Sequence, residues 1–399
     1  MRTFEQTHPW LKFSVDLRQA PFNLWIMLGE CQSKCEHISW APLLPEVQKR
    51  VHELYLVKGS LATTAIEGNT LSEKEVMLRL EQKLQLPPSK EYLGIEVDNI
   101  IEACNGIVQE VMQDKAPVLS LDRIRQFNEK VLSKLDLDEE IDPGQIRKHA
   151  VGVARYKAPL PEDCGYLVNR LCEWLNGPDF DFPKGMAMVS AIVKAILAHL
   201  YLAWIHPFGD GNGRAARLVE FQILISSGVP APAAHLLSNH YNQTRTEYYR
   251  QLDRASKSGG DVVAFLRYAV QGFLDGLRDQ LKEIRDQQWE VVWRDHIWQH
   301  FRDRHTLTDQ RRRKLVFALS KEPGLVPISR LSRLHPDLAV AYADKTNKAV
   351  LRDINALAKL GLVTKERSAV RARKEAILGF LPAGTAWSET AIQIILPGS

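Results

Sequence analysis

Apolar residues along this 399-residue chain recur mostly at helical spacing. Val47, Val51, Leu54, Val57 and Leu61 mark one long amphipathic stretch, set apart from the opening segment by Pro42 and Pro45. Leu86-Pro87-Pro88 breaks the next helix, another runs over about 92–111, and Ala116-Pro117 closes it. Between about 118 and 278, amphipathic helices alternate with a single non-helical stretch. There Gly144, Gly152, Pro159 and Pro161 surround Val151, Val153 and Tyr156, which fits a short hairpin or extended flap. The longest apolar run, 186–205, contains Lys194 and His199, so it predicts a buried core helix rather than a membrane span. Leu218 and Ile223 carry the helical spacing on past Gly213. The pattern predicts a mainly α protein with one short β-hairpin.

The tail repeats the exercise on a smaller scale. A helix begins at 315–319, 328–334 makes a second short one, and 344–360 makes a third, with Val350, Ile354 and Leu357 on one face and Lys345, Lys348, Arg352 and Lys359 among its polar positions. Gly361 caps it, and 362–365 lead through Arg371-Ala372-Arg373-Lys374 into 376–378. Helix, turn, basic helix and two-stranded wing resemble a winged helix-turn-helix. Either duplex DNA or a docked protein fits that pattern. The expected division is an N-terminal helical region over 1–115, a core over 116–285 and a winged-helix-like domain over 290–399.

Charge sharpens the division. The net charge is +4, but residues 301–380 hold 18 lysines and arginines against 8 acids, a local +10 that leaves the remainder at −6. Such a split favours a basic module with an anionic partner. Hydrophobic content of 45% and charged content of 25% are ordinary for a soluble globular protein, and no early apolar run has the form of a signal peptide. The five cysteines (Cys31, Cys35, Cys104, Cys164, Cys172) show neither even pairing nor a CxxC, so a reducing cytoplasm is expected. No membrane association is expected.

The twelve residues His206-Pro207-Phe208-Gly209-Asp210-Gly211-Asn212-Gly213-Arg214-Ala215-Ala216-Arg217 concentrate chemistry found nowhere else in the chain. Glycines at 209, 211 and 213 permit backbone conformations that let consecutive N–H groups converge on one anion, and the helix that follows would turn its positive end toward it. His206 can take a proton from a hydroxyl near neutral pH. Asp210 is the only carboxylate of the loop, and Mg²⁺ commonly binds through one or two carboxylates plus a substrate's phosphates. Arg214 and Arg217, three apart on the helix, could grip one polyphosphate. The segment reads as a phosphate-handling active site, with Phe208 packed beneath it.

These residues fill all nine specified positions of HPFxDGNGRxxR, the signature of Fic domains, and the chain resembles protein AMP-transferases of that family. The resemblance covers roughly 50–275 through motifs and the tail through pattern alone. It implies a mainly α fold, with a Fic helical core, a short β-hairpin flap and a C-terminal winged helix. It also implies transfer of AMP from ATP to a Ser, Thr or Tyr hydroxyl of a protein, releasing pyrophosphate. His206 would be the base, Asp210 the ligand of Mg²⁺, and Gly211, Asn212, Gly213 and Arg214 the anion contacts, with Arg217 meeting the γ-phosphate. Tyr248 and Tyr249 resemble the family's paired tyrosines near the nucleobase, of which at most one can face a nucleotide; core packing fits both equally. Arg147 and Val153-Ala154-Arg155-Tyr156 match a flap that holds the target segment by main-chain pairing, or form an ordinary surface hairpin.

Thr63-Thr64-Ala65-Ile66-Glu67-Gly68-Asn69 matches the family's inhibitory motif, [ST]xxxE[GN], on a helix over about 50–70. The resemblance implies that Glu67 pairs with Arg217 and repels the incoming triphosphate. ATP and Mg²⁺ are the expected ligands, and a hydroxyl-bearing protein, DNA and a second copy of the chain the expected partners. Transfer of a different phosphate-containing group, removal of AMP, or a nucleotide-sensing DNA-binding regulator are the alternatives.

Overall fold

A computed structural model describes residues 2–153 and 156–378. The chain is mainly helical and divides into two compact units between Ile284 and Arg285, with the helix Val263–His300 running through that point.

The first unit is organised by the helices Ala187–Ile205 and Asn212–Ser226, which pack along one another and are joined by the loop that carries the motif. The first of these has the length and mean hydropathy, 1.8, of a membrane span. It is instead a central helix: from Val189 onward only Lys194 and Ala203 escape full burial, as a helix apolar on every side requires. The second is buried equally completely although it carries Arg214, Arg217, Glu220 and Gln222. Each of these polar side chains must therefore find a partner inside. Gln222 finds two, accepting from Arg123 Nε at 2.7 Å and donating to the Pro117 carbonyl at 2.9 Å.

Helices Pro45–Ala65, Glu91–Met112 and Leu121–Leu132 pack on Asn212–Ser226, and Phe22–Trp40 and Pro161–Leu175 pack on Ala187–Ile205. Pro45–Ala65 also lies against Leu236–Gln243, and at Gly59 a Cβ would sit 2.2 Å from Nδ1 of His235, the residue that precedes that helix. The non-helical stretch forms a two-stranded antiparallel hairpin pairing Gly152 with Lys157 and Val153 with Tyr156. Ala154 and Arg155, expected as part of the flap, lie outside the described residues.

The second unit contains the helices Leu307–Leu319, Pro336–Tyr342 and Asn347–Lys359 and a three-stranded antiparallel sheet in which Ala369–Ala372 lies between Val326–Pro327 and Val363–Glu366. Leu315, Leu331, Leu338, Ile354, Leu357, Leu362 and Val370 form its core. Several expectations change here. The helix expected to begin at 315–319 runs over Leu307–Leu319 and ends there, and the second wing strand, expected at 376–378, is Ala369–Ala372, with Lys374–Ile377 a 3-10 turn. Ile328–Arg333 is a 3-10 helix, and the separate helix Pro336–Tyr342 begins after His335 caps the Asp337 amide. The basic helix starts at Asn347 rather than 344, because the Lys345 amide turns back to the Tyr342 carbonyl at 3.0 Å; Lys345 therefore stands in the preceding turn.

Candidate active site

His206 ends the helix Ala187–Ile205 in the left-handed region at φ 47°, its amide bonded to the Leu202 carbonyl at 2.9 Å. That backbone reversal carries the chain into the loop. Asn212 then closes the loop on itself: its Oδ1 accepts from the Phe208 amide at 2.9 Å and its Nδ2 donates to the Phe208 carbonyl at 2.8 Å. Phe208 is fully buried beneath. Gly211 adopts φ 72°, and a Cβ there would crowd Asn128 Nδ2 at 3.0 Å and Val131 at 3.1 Å, so both conformation and space require glycine.

Two residues that the sequence did not single out fix this loop. The fully buried Asn128, on Leu121–Leu132, donates to the Asp210 carbonyl at 2.7 Å and accepts from the Gly144 amide at 2.9 Å. Glu96, on Glu91–Met112, pairs with Arg214 at 2.9 Å. Arg147, expected only as a flap residue, is buried and joins hairpin to loop. Its guanidinium donates to the carbonyls of His206, His149 and Pro159, and its amide to the Pro207 carbonyl.

The His206 imidazole is held neutral. Burial lowers its pKa below the ordinary value of 6.5, against the opposing pull of the Ala203 carbonyl and of Glu67. Its Nδ1 is buried with no hydrogen-bond partner among the described residues. A neutral imidazole is the form that accepts a proton. Asp210, whose side chain is 46% exposed, accepts from the Gly211 amide through Oδ1 and from Arg214 Nη2 at 3.1 Å through Oδ2. Among the described residues no cluster of three or more His, Cys, Asp or Glu could hold a metal ion. A cation at Asp210 would therefore take its remaining ligands from water and substrate phosphates, the donor set that suits Mg²⁺.

Arg217 is almost fully buried and donates to Glu67 Oε1 at 2.5 Å and to the Thr63 carbonyl at 2.9 Å. Helix Pro45–Ala65 ends just before Glu67. The Glu67 amide bonds the Thr64 carbonyl, and Gly68 follows at φ 110°, so the carboxylate stands in the turn that closes the helix. Burial works against ionisation of Glu67, but Arg217, with Arg214 nearby, holds its carboxyl below the ordinary range. The same oxygen lies where a Cβ on Gly213 would come within 2.2 Å. A carboxylate thus covers the first turn of Asn212–Ser226, where that helix presents unpaired amides and its positive end.

Of the paired tyrosines, Tyr248 is buried. It stacks on Tyr241 and meets His199 Nε2 through its hydroxyl at 2.8 Å, and His199 Nδ1 lies 3.2 Å from Glu220. These surroundings are those of a core residue. Tyr249, on the same helix, Arg245–Lys257, is 37% exposed. On the hairpin, the Tyr156 ring turns inward and its hydroxyl donates to the Trp204 carbonyl at 2.8 Å.

Known proteins resemble the chain over its core. Residues 118–224 match the model of the Fic/DOC family, so a Fic domain is present. The chain is 28% identical over 242 residues to protein adenylyltransferase fic-1 of Caenorhabditis elegans, covering 61% of this chain and 44% of that one. It is 30% identical over 209 residues to protein adenylyltransferase Fic of Nematostella vectensis, covering 52% and 45%. The chain spans less than half the length of these curated relatives. Among solved structures, residues 134–508 of C. elegans Fic-1 superpose with a TM-score of 0.52 at 25% identity, covering 65% of this chain and 72% of that one. A Fic family protein from Desulfovibrio desulfuricans G20 shares the fold over 88% of this chain and 95% of its own, with a TM-score of 0.51 at 20% identity.

Proposed function

We propose that the protein is a protein adenylyltransferase that moves AMP from ATP to a side-chain hydroxyl of a target protein and is held inactive by Glu67. The observation that carries the reading is an acidic group seated in an anion cradle: the Glu67 carboxylate over Gly213, paired with Arg217 at 2.5 Å. Arg217 is buried while the Glu67 side chain is about one-third exposed, so the buried guanidinium is costly to leave without a counter-ion and another anion can replace the carboxylate from the open side. The γ-phosphate of ATP is such an anion. While Glu67 stays, it occupies the cation the nucleotide needs and repels the incoming charge.

With Glu67 withdrawn, Arg217 is free to bind the outer phosphates beside Arg214, and the amides at the start of Asn212–Ser226 receive the transferring one. The target hydroxyl oxygen forms a bond to the α-phosphorus as the bond from that phosphorus to the pyrophosphate oxygen breaks. The hydroxyl proton passes to the neutral imidazole of His206. Asp210 would hold Mg²⁺, whose charge offsets that of the α and β phosphates. The hairpin Gly152–Val153 and Tyr156–Lys157 would align the target segment by main-chain pairing, with Arg147 fixing its distance from His206.

Incubation of the purified protein and of Glu67→Gly with α-labelled ATP, Mg²⁺ and a cell extract tests this. Label should enter protein with the mass increment of AMP, and Glu67→Gly should label at least about tenfold faster, the scale of one charge-assisted hydrogen bond. Equal rates, or a different mass increment, would overturn the brake or the transferred group respectively.

One observation favours a second activity in the tail. Lys348, Arg352 and Lys359 are exposed on the helix Asn347–Lys359 and make no ion pair among the described residues. We propose that this helix, flanked by the exposed Lys365 and Arg367 of the adjoining hairpin, binds duplex DNA in the manner of a winged helix.

A further inference from the structure

We infer that Glu96 is a positioning residue of the phosphate site: by taking up the charge of Arg214 from the protein interior, it leaves Asp210 available to a divalent cation. The inference rests on the nucleotide reading given above. Arg214 is 4% exposed and divides its guanidinium between two carboxylates of unequal standing, Glu96 Oε1 at 2.9 Å and Asp210 Oδ2 at 3.1 Å. The Glu96 side chain is 15% exposed and that of Asp210 46%, so solvent screens the second contact far more than the first.

Glu96 is itself fixed. Its other oxygen, Oε2, accepts from Asn69 Nδ2 at 2.9 Å, and the same amide nitrogen donates to the Leu93 carbonyl at 2.9 Å while Asn69 Oδ1 accepts from the Leu71 amide at 3.0 Å. Glu96 is thus oriented from two sides, and the residue that orients it stands two positions beyond Glu67.

The consequence follows from charge balance. A buried guanidinium must keep a counter-ion. With only Asp210 at hand, Arg214 would claim that carboxylate outright, and the only acid of the loop would be neutralised by a neighbour four residues away. Glu96 removes the need: Arg214 stays anchored through Nη1 when Asp210 turns to a cation, and its Nη2 is then left for phosphate. Glu96→Gln keeps the shape and the Asn69 contact but deletes the charge. In that variant Arg214 falls back on Asp210 and competes with the metal.

The test measures binding rather than turnover. In full-length Glu67→Gly protein, calorimetric titration with α,β-methylene ATP across a Mg²⁺ series gives the Mg²⁺ concentration that half-saturates nucleotide binding. Glu96→Gln should raise that concentration about ten- to hundredfold, the usual cost of losing a group that supports a metal ligand, while binding in the presence of a chelator changes little. Asn69→Ala should shift it the same way by less. With Arg214→Ala already in place, Glu96→Gln should add nothing, which a merely structural contribution of Glu96 would not reproduce. Overlaying Mg²⁺ curves for Glu96→Gln and its parent overturn the inference. Should the parent bind no analogue at any Mg²⁺ concentration, the nucleotide reading falls first and this inference with it.

Discussion

Two helices of this protein carry two or more cations each, and they treat them in opposite ways. On Asn212–Ser226, Arg214 and Arg217 are buried and each is engaged by a carboxylate from another helix or its closing turn, Glu96 and Glu67. On Asn347–Lys359, Lys348, Arg352 and Lys359 stand in solvent without ion pairs among the described residues. The only buried charge on that second helix, Asp353, faces the core and is taken by Arg311, Arg312 and Tyr342 at 2.8 to 3.0 Å. A buried cation serves a ligand only by giving up a partner already in place, so its chemistry is specific and can be gated. A solvated cation is open to any anion, and its contribution is general and salt-dependent.

The buried side of the contrast predicts the largest effects. His206→Ala removes the base from a loop whose shape rests on Asn212, Asn128 and Phe208 rather than on the imidazole. Labelling should fall by about 10² to 10⁴ with the unfolding midpoint nearly unchanged; near-normal labelling would refute the assignment. Because burial lowers the His206 pKa, the base stays neutral until the pH falls below its usual value of about 6.5. The rate of the Glu67→Gly protein should accordingly hold flat through neutrality and decline only on the acid side of that value.

Next in size is the gate. Arg217→Ala should cancel the gain of Glu67→Gly, because the cation that the substitution releases is then missing; an additive pair of effects would show that Glu67 acts elsewhere. The folded pKa of Glu67 lies below its unfolded one. The stabilisation from the pair is therefore present above the ordinary carboxyl range and lost only as pH falls through the lower, folded value. Mild acidification from about pH 7 to about 5 should leave the difference in unfolding midpoint between wild type and Glu67→Gly unchanged. The helix that carries the gate can also be moved sterically. At Gly59→Ala the gain in helix propensity, about 0.5 to 1 kcal/mol, is set against overpacking of about 1 to 3 kcal/mol, because the new Cβ meets the buried His235 ring. Overpacking wins, and the release should raise labelling several-fold while lowering the unfolding midpoint. Unchanged labelling with a lowered midpoint would mean that the helix yields elsewhere.

The loop was legible from sequence because its chemistry demands particular residue types at fixed spacing, and Glu67 because a short motif places it. The residues that hold the loop were not. Asn128, Arg147 and Glu96 reach it across 82, 59 and 118 positions of chain, and an Asn, Arg or Glu on an amphipathic helix or in a Gly-rich stretch has no local pattern to mark it. Tyr248 and Tyr249 illustrate the same limit. Adjacent aromatics on a helix fix that they diverge, but only packing against Tyr241 and His199 decides that Tyr248 is the interior one. In the tail the apolar pattern located the basic helix and the first wing strand, yet it placed at 315–319 the start of a helix that ends there, took a 3-10 turn for the second helix while missing Pro336–Tyr342, set the second wing strand at 376–378 instead of Ala369–Ala372, and began the basic helix three residues too early. A pattern sparse in fixed residues reports periodicity and leaves the ends of elements to capping contacts.

The smallest effect belongs to the solvated cations and is the one that most sharpens the contrast. If the helix Asn347–Lys359 meets duplex DNA, binding by the full chain should weaken steeply with salt, since each phosphate neutralised releases close to one counter-ion. Replacing Lys345, Lys348 and Arg352 together with Ala should lower the salt slope by up to about three, one for each phosphate contact. Lys345, standing in the turn before the helix, should contribute least, because its reach is set by the Tyr342 carbonyl contact of its amide rather than by the helix face. The unfolding midpoint should not move, since none of the three is buried or paired among the described residues. AMP transfer should also persist, because the anion contacts assigned to that reaction lie on Asn212–Ser226. Gel-shift titration at about 50 mM salt, repeated across a salt series, decides the matter. Absence of binding at the lowest salt, or a slope that survives the triple substitution, would remove DNA as the partner and leave the solvated face to another anion.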